Sequence, residues 1–409
     1  MQFKKTVVIV GGGAAGFFGA IACAEADPEC RVIILEKARQ ILSKVRISGG
    51  GRCNVTHACF DPAVLIQNYP RGGKELRGAF SRFQPRDTVQ WFESRGVELK
   101  TEADGRIFPI TDSSETIISC LLGQVKALGV ELWTEKGVVD CVRNERFFLV
   151  LSNGEKLDCD DVLVACGSSP KVSEWVEKLG HTFEPPVPSL FTFNVPKSPL
   201  LELAGISVPK AKLSLEECRL QQTGPLLITH WGFSGPAVLK LSAWGARLLH
   251  EKKYQTSLKI NWLPDVSLDE LKLLIGEHRQ AYATRFVSSD CPISLPKNLW
   301  KALLKMAKVP LELRWSAFSK QQLQDLVQTI QGSVFHIDGK STYKDEFVTS
   351  GGVKLKEVDF KTMESRVCPG LYFAGEVLDV DGVTGGFNFQ NAWTTSWLAG
   401  RSIAMKKIG

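Results

Sequence analysis

The sequence predicts an α/β protein organised around a doubly wound, largely parallel sheet, and three observations carry that reading. A β-branched run, Thr6-Val7-Val8-Ile9-Val10, opens directly into Gly11-x-Gly13-x-x-Gly16 and a helix-like stretch. Near the C-terminus, Gly370-Leu371-Tyr372-Phe373-Ala374-Gly375-Glu376 is a second apolar run that leads into another glycine-rich helix start. Between them, Asp161-Val162-Leu163-Val164-Ala165-Cys166-Gly167 is a third apolar run ending on a glycine. Parallel strands buried on both faces read as such continuous apolar runs, and ligands gather where the carboxyl ends of the strands meet helix starts.

In chain order, Ala14 to Glu25 reads as a helix packed on the first strand, and Arg31 to Leu35 as a second strand ending at Glu36. This is a complete βαβ nucleotide-binding pattern. Gly11 permits the tight turn, Gly13 lets the main chain approach a pyrophosphate, and Gly16 lets helix lie against strand. The helix N-terminus faces the phosphate charge, and Glu36 accepts hydrogen bonds from ribose hydroxyls. The acid disfavours a 2′-phosphate, so the nucleotide is of the FAD or NAD type. Ser113 to Leu128 reads as a helix, Gly137 to Asp158 as a β-meander, and Asp161 to Gly167 as the closing strand of the same sheet.

The far end of the chain selects FAD. Glu376 and the helix start at Thr384 to Ala392 supply a second anchor, an acid for the ribityl hydroxyls and a helix N-terminus for the flavin edge that gathers negative charge. No second GxGxxG unit occurs between Ser168 and Lys354, so NAD(P)H is expected only as a transient electron donor docking on the flavin face. In the middle of the chain, Ser189 to Val195, Ile206 to Leu215 and Ser257 to Trp262 are strand-like. Helical periodicity then runs from Ser267 to about Gln331, with Ser319 and Gln322 as a capping box.

Composition limits the alternatives. With 409 residues, 44% of them hydrophobic and 23% charged, the chain is globular and long enough for more than one domain. The net charge of +6 suits an anionic ligand or RNA and is also common in ordinary enzymes. The 11 cysteines include no C-x-x-C pair, which excludes a zinc ribbon or a dithiol motif and fits reduced thiols in a cytoplasmic protein. Lys4-Lys5 before the uncharged stretch Thr6 to Ala24 imitates a signal peptide, but the glycine triplet interrupts the apolar core such a peptide needs. No other run is long enough to cross a bilayer, so no membrane association is expected. No DNA partner is expected either, and the residues set no oligomeric state.

Five stretches, "VVIVGGGAAG", "SGGGRCN" (Ser48 to Asn54), "THWGFSGPAVLKLS" (Thr229 to Ser242), "VTSGGV" (Val348 to Val353) and "GLYFAGEVLDVDGVTGGFNFQNAW" (Gly370 to Trp393), give the chain its kinship. On them it resembles the BaiN/RdsA (YhiN-like) family of FAD-dependent oxidoreductases, which share a glutathione-reductase-like FAD domain. The resemblance implies an FAD/NAD(P)-binding Rossmann-like domain built from both chain ends, 1–188 and 348–409. It also implies an inserted β-rich domain (189–264 and 332–347) and a helical subdomain (265–331). Two features depart from the family pattern: His57 stands where Asn is usual, and the loop after Gly167 is short.

The resemblance also implies the cofactor contacts. Gly11, Gly13, Ala14, Ala15, Gly16, Glu36, Lys37 and Val138 would hold the adenosine diphosphate part. Ala165, Cys166, Gly167, Gly375, Glu376, Gly385, Gly386, Phe387, Asn388 and Gln390 would line the rest. In SGGGRCN, the main chain of Ser48, Gly49, Gly50, Gly51 and Asn54 would lie against pyrophosphate or flavin, with Arg46 and Arg52 complementing the negative charge. Cys53 is a packed thiol or a proton donor beside the flavin, and His230 a structural histidine or a general acid. Lys297, Lys301, Lys305 and Lys308 form a basic helix face, read as a solvated surface or an RNA phosphate contact. The expected activity is reduction by NAD(P)H of an electron-poor C=C, in a small-molecule enone or an rRNA uridine. The alternatives are an FAD oxidase of a small amine, and a flavin-bound RNA-binding protein without turnover.

Overall fold

The computed structural model describes residues 5–340 and 348–406. The chain divides into two compact units, Met1–Val187 with Val348–Gly409, and Pro188–Phe347.

The first unit is built on a seven-stranded sheet. Its order is Val358–Asp359, Glu364–Ser365, Leu371–Phe373, Asp161–Val164, Lys5–Val10, Cys30–Leu35 and Glu131–Trp133. The five strands from Leu371–Phe373 to Glu131–Trp133 are parallel, and the two short ones at the other edge are antiparallel. Asp161–Val164, expected to close the sheet, instead lies inside it, between the first strand and the C-terminal strand. All four of its residues are buried, which suits an inner strand covered on both faces.

The first helix, Ala14–Ala26, is apolar on nearly every side because it is covered on nearly every side. The last helix, Phe387–Met405, lies directly on it. A Cβ on Gly400 would overlap the Gly19 carbonyl oxygen, and one on Gly19 would meet Ser396 at 3.3 Å, so these glycines let the two backbones touch. Phe18 of the first helix packs against Phe83, Trp91 and Trp393 at centroid distances of 5.6, 4.5 and 5.2 Å. Each such pair adds roughly 0.5–1.5 kcal/mol beyond area burial. Trp91 comes from the helix Pro85–Glu93, at whose start the Asp87 carboxylate accepts from Gln84 N (2.7 Å). The two chain ends are therefore tied by a shared aromatic core.

The second unit holds a six-stranded antiparallel sheet in the order Phe193–Asn194, Gly232–Ser234, Leu220–Thr229, Ser207–Leu215, Gln255–Asn261, Ser333–Asp338. Three helices, Leu268–Ala281, Lys297–Met306 and Lys320–Gly332, share its core around Trp262, Trp300 and Trp315. The Ser319/Gln322 capping box forms at the start of the third. The strand expected over Ser189 to Val195 shrinks to Phe193–Asn194, because Leu190 adopts φ 58°, a left-handed turn that no extended run contains. No helix among the described residues is long and apolar enough to cross a membrane.

Candidate functional site

The site lies at the carboxyl ends of the parallel strands of the first unit. Gly11 has φ 119°, and a Cβ there would come within 2.6 Å of the Ala165 oxygen and 2.7 Å of Cys166 Cα. The first turn and the end of the Asp161–Val164 strand are thus in backbone contact. A Cβ on Gly16 would overlap the Gly11 carbonyl oxygen. Gly13 is the N-cap of the first helix, has no side-chain cap and no acid in the following turn, and faces open space on its Cβ side. The N–H groups at this helix start, including those of Ala14, Ala15 and Gly16, have no intrahelical partner. An uncapped helix N-terminus beside an open glycine is an anion site, and it fits a pyrophosphate.

Glu36 is held in place by the loop it serves. Its two carboxylate oxygens accept from Gly12 N (2.6 Å) and Ala38 N (2.9 Å). Lys37 runs beside the start of the meander, where a Cβ on Gly137 would meet Lys37 Cβ at 3.0 Å, and Val138 is buried next to it.

The glycine run has a plain conformational reason. In the helix assigned to Ser43–Gly51 the chain breaks at Ser48 (ψ 147°), then passes through Gly49, Gly50 and Gly51 at φ 58°, 70° and 86°. Any other L-residue would add about 1–2 kcal/mol of strain at each. Gly50 and Gly51 face open space on the side a Cβ would take, which leaves bare main chain. With its amide turned to satisfy both atoms, Asn54 donates to Thr56 O (2.9 Å) and accepts from Gly386 N (2.9 Å). A Cβ on Gly386 would stand 2.7 Å from the Thr56 carbonyl, and one on Gly375 3.0 Å from Ala15 Cβ. Glu376 pairs with Lys44 at 2.5 Å, and a Cβ on Gly167 would lie 3.6 Å from its carboxylate. Glycine-lined segments from both ends of the chain therefore meet at one place.

Several of the expected contact residues have side-chain partners within the protein. Arg46 pairs with Glu115, and Arg52 with Glu102 (2.7 Å) while lying 4.0 Å over the Phe108 ring. Both guanidinium charges are already met by carboxylates. Asn388 clasps its own loop, accepting from Gly382 N (2.8 Å) and donating to Gly382 O (2.9 Å). Gln390 is fully buried: it accepts from the Thr56 and Thr88 hydroxyls (2.6 and 2.9 Å) and donates to Thr394 Oγ1 (3.0 Å). Both stiffen the glycine loop from within. Phe387 is stacked on His57 at 4.8 Å, and its carbonyl accepts from the buried Tyr69 hydroxyl (2.7 Å). His230 belongs to the second unit and sits exposed in the turn between Leu220–Thr229 and Gly232–Ser234.

Cys53 and Cys166 are thiols that burial pushes up to about 12. Cys53 has no exposed surface and a left-handed φ of 61°, so it fills the core under the glycine turn. General acids contribute about 10²–10⁴-fold to rate. Cys53→Ala is expected to keep both bound flavin and turnover, and a loss of that size in steady-state kinetics would return Cys53 to the catalytic machinery.

Sequence reasoning missed the supports of the C-terminal loop. Arg71 forms a two-pronged ion pair with the buried Asp381, Trp393 Nε1 donates to Val55 O (2.9 Å), and Thr395 Oγ1 accepts from Gly375 N (2.9 Å). The available signal was the density of polar residues in Asn388 to Ser396, too many for a helix that packs on two others unless they bond inward.

Residues 5–402 match the family described as HI0933-like protein Rossmann domain. The chain is 30% identical over 410 residues to the 3-dehydro-bile acid delta(4,6)-reductase of Clostridium scindens, covering 97% of this chain and 98% of that protein. It is also 30% identical over 414 residues to the ribosomal RNA dihydrouridine synthase of Escherichia coli, covering 98% of each. Among solved structures, 3-ketosteroid-delta4-(5alpha)-dehydrogenase from Rhodococcus jostii shares the fold, with a TM-score of 0.52, 14% identity, and coverage of 99% of this chain and 98% of that one. A glycine-lined nucleotide site made from both chain ends, inside a family match that spans almost the whole sequence, identifies the chain as an FAD-dependent oxidoreductase of the HI0933-like family.

Proposed function

We propose that the chain is an NAD(P)H-linked reductase of a carbon–carbon double bond conjugated to a carbonyl, with a uridine of 23S ribosomal RNA as the favoured substrate. One observation carries the reading. Two relatives that match over nearly their whole length are named for the same bond change, the reduction of a ring C=C conjugated to C=O, in a steroid-like acid and in uridine. The net charge of +6 favours the polyanionic substrate.

The residues present fit the cofactor, which when bound supplies a hydride from the flavin N5. The helix start at Gly13 to Gly16 holds the pyrophosphate, and Glu36, locked by Gly12 N and Ala38 N, takes the ribose hydroxyls. Asn54 occupies the Gly386 N–H and so fixes the second glycine loop against the first. The uncapped start of the last helix, with no acid in its first turn, favours negative charge at the flavin edge. Asn388 and Gln390 hold that start rigid, so little reorganisation is needed when charge develops.

Mixing the holoprotein with NADH or NADPH without oxygen should bleach the flavin absorbance, and a conjugated enone or a uridine-containing RNA should restore it. Bleaching only by an amine, followed by rapid peroxide formation in air, would instead identify an oxidase. A strain lacking the gene should lose a dihydrouridine from 23S rRNA, and an unchanged modification map removes the RNA substrate from the reading.

A further inference from the structure

Among the described residues, the second unit carries lysines that no carboxylate neutralises. Lys297, Lys301, Lys305 and Lys308 run along the helix Lys297–Met306 and the turn that ends it, and with Lys197 they form no ion pair. Four other lysines of this unit are matched, Lys210 with Asp265 at 2.7 Å, Lys259 with Glu216 at 2.9 Å, Lys272 with Asp269 at 3.5 Å, and Lys252 with Glu217, while Lys212, Lys240, Lys253 and Lys320 stand unpaired but scattered rather than aligned along one helix. Lys308 is held at φ 58°, in the turn after the helix where glycine is the favoured residue. A long cationic side chain stands there in spite of the strain.

The arrangement is a track rather than a cluster. Residues four apart on a helix advance by roughly 6 Å along its axis, comparable with the separation of neighbouring phosphates on an extended strand. Lys301 and Lys305 line a groove of about 420 Å³ with Asn298, Pro199 and Leu203, and its acid, Glu202, pairs with neither lysine. The segment that forms the opposite wall leads back through Lys197 to Val195, whose N–H donates to the carbonyl of Trp231 at 2.8 Å. Trp231 is 39% exposed, beside the exposed His230. Unpaired cations at phosphate spacing and a partly exposed indole thus belong to one unit, connected through the segment from Pro199 back to Val195. Single-stranded nucleic acids are held by this combination, a positive path for the backbone and an aromatic ring for a base.

We propose that this face of the second unit binds the backbone of the RNA substrate, with Lys297, Lys301 and Lys305 taking successive phosphates, Lys197 and Lys308 extending the path, and Trp231 stacking an unpaired base. The proposal rests on the reading that the substrate is RNA. It adds the surface that selects a polyanion over a small enone.

The test is fluorescence anisotropy of the FAD-loaded protein with a labelled single-stranded oligouridine 20-mer, over a range of salt. Charge reversal in K301E/K305E should weaken binding at least about tenfold, and K301Q/K305Q should lower the salt slope by roughly 0.7 for each phosphate no longer neutralised. K301R/K305R should keep both. Trp231→Ala should weaken binding by roughly five- to a hundredfold with the slope unchanged. Bound FAD and thermal melting report that each variant is folded. Wild-type binding that the lysine variants leave within about twofold overturns the assignment of this face and leaves an RNA substrate standing. A wild-type protein that ignores the RNA while reducing an enone overturns the RNA reading itself. Binding to phosphatidylserine vesicles that is tighter than to RNA and abolished in the same variants assigns the face to a membrane and overturns the proposal.

Discussion

Gly16→Ala is expected to leave the protein without FAD. The added methyl group would overlap the Gly11 carbonyl oxygen, so the first helix must move off the first strand or tilt away from the turn. Backbone on backbone offers no side chain that could rotate aside. Overpacking of this kind costs about 1–3 kcal/mol. It falls on the helix start whose N–H groups are proposed to hold the pyrophosphate, and each 1.4 kcal/mol is about tenfold in affinity. The expected result is a colourless purified protein whose FAD affinity has dropped by roughly tenfold to a hundredfold, measured by flavin fluorescence quenching. Gly78→Ala is the matched control: that helix glycine meets nothing within 4 Å, and the variant should stay yellow.

Gly386→Ala carries the second large effect, from the other end of the chain. The residue has φ 91°, and its added Cβ would stand 2.7 Å from the Thr56 carbonyl and 2.9 Å from the Asn54 side-chain amide. Left-handed strain of about 1–2 kcal/mol therefore adds to a collision with the segment that reaches over from the N-terminal loop. The Asn54 bridge to Gly386 N breaks with it. Weaker flavin binding, a lower melting temperature of the first unit and a shifted flavin absorption maximum are expected together. A variant that melts early but binds FAD as tightly as the wild type would show that the C-terminal loop is a structural brace alone.

The parts of this protein that were legible in its sequence are those whose cause is local. The first strand, the glycine turn and the first helix follow from a β-branched run, three spaced glycines and an apolar stretch, and they stand at Lys5–Val10 and Ala14–Ala26 as that pattern requires. The Ser319/Gln322 capping box needs only four residues, and it forms. What the sequence does not display is a partner that lies far along the chain. Gln390 looks like a ligand contact until Thr56 and Thr88, some 300 residues away, are seen to use up its carbonyl. Arg46 and Arg52 look like free cations until Glu115 and Glu102 are placed beside them. Strand order has the same origin: four buried residues fit the middle of a sheet or a covered edge equally well, and only the pairing with Leu371–Phe373 decides.

The central claim is that glycine-lined segments from the two ends of the chain jointly hold one FAD, and titration of the flavin-stripped protein with FAD tests it most directly. One FAD per chain, with binding weakened in Gly16→Ala and Gly386→Ala alike, is the predicted result. Apoprotein that takes up no FAD, or that takes it up undiminished in both variants, would contradict it.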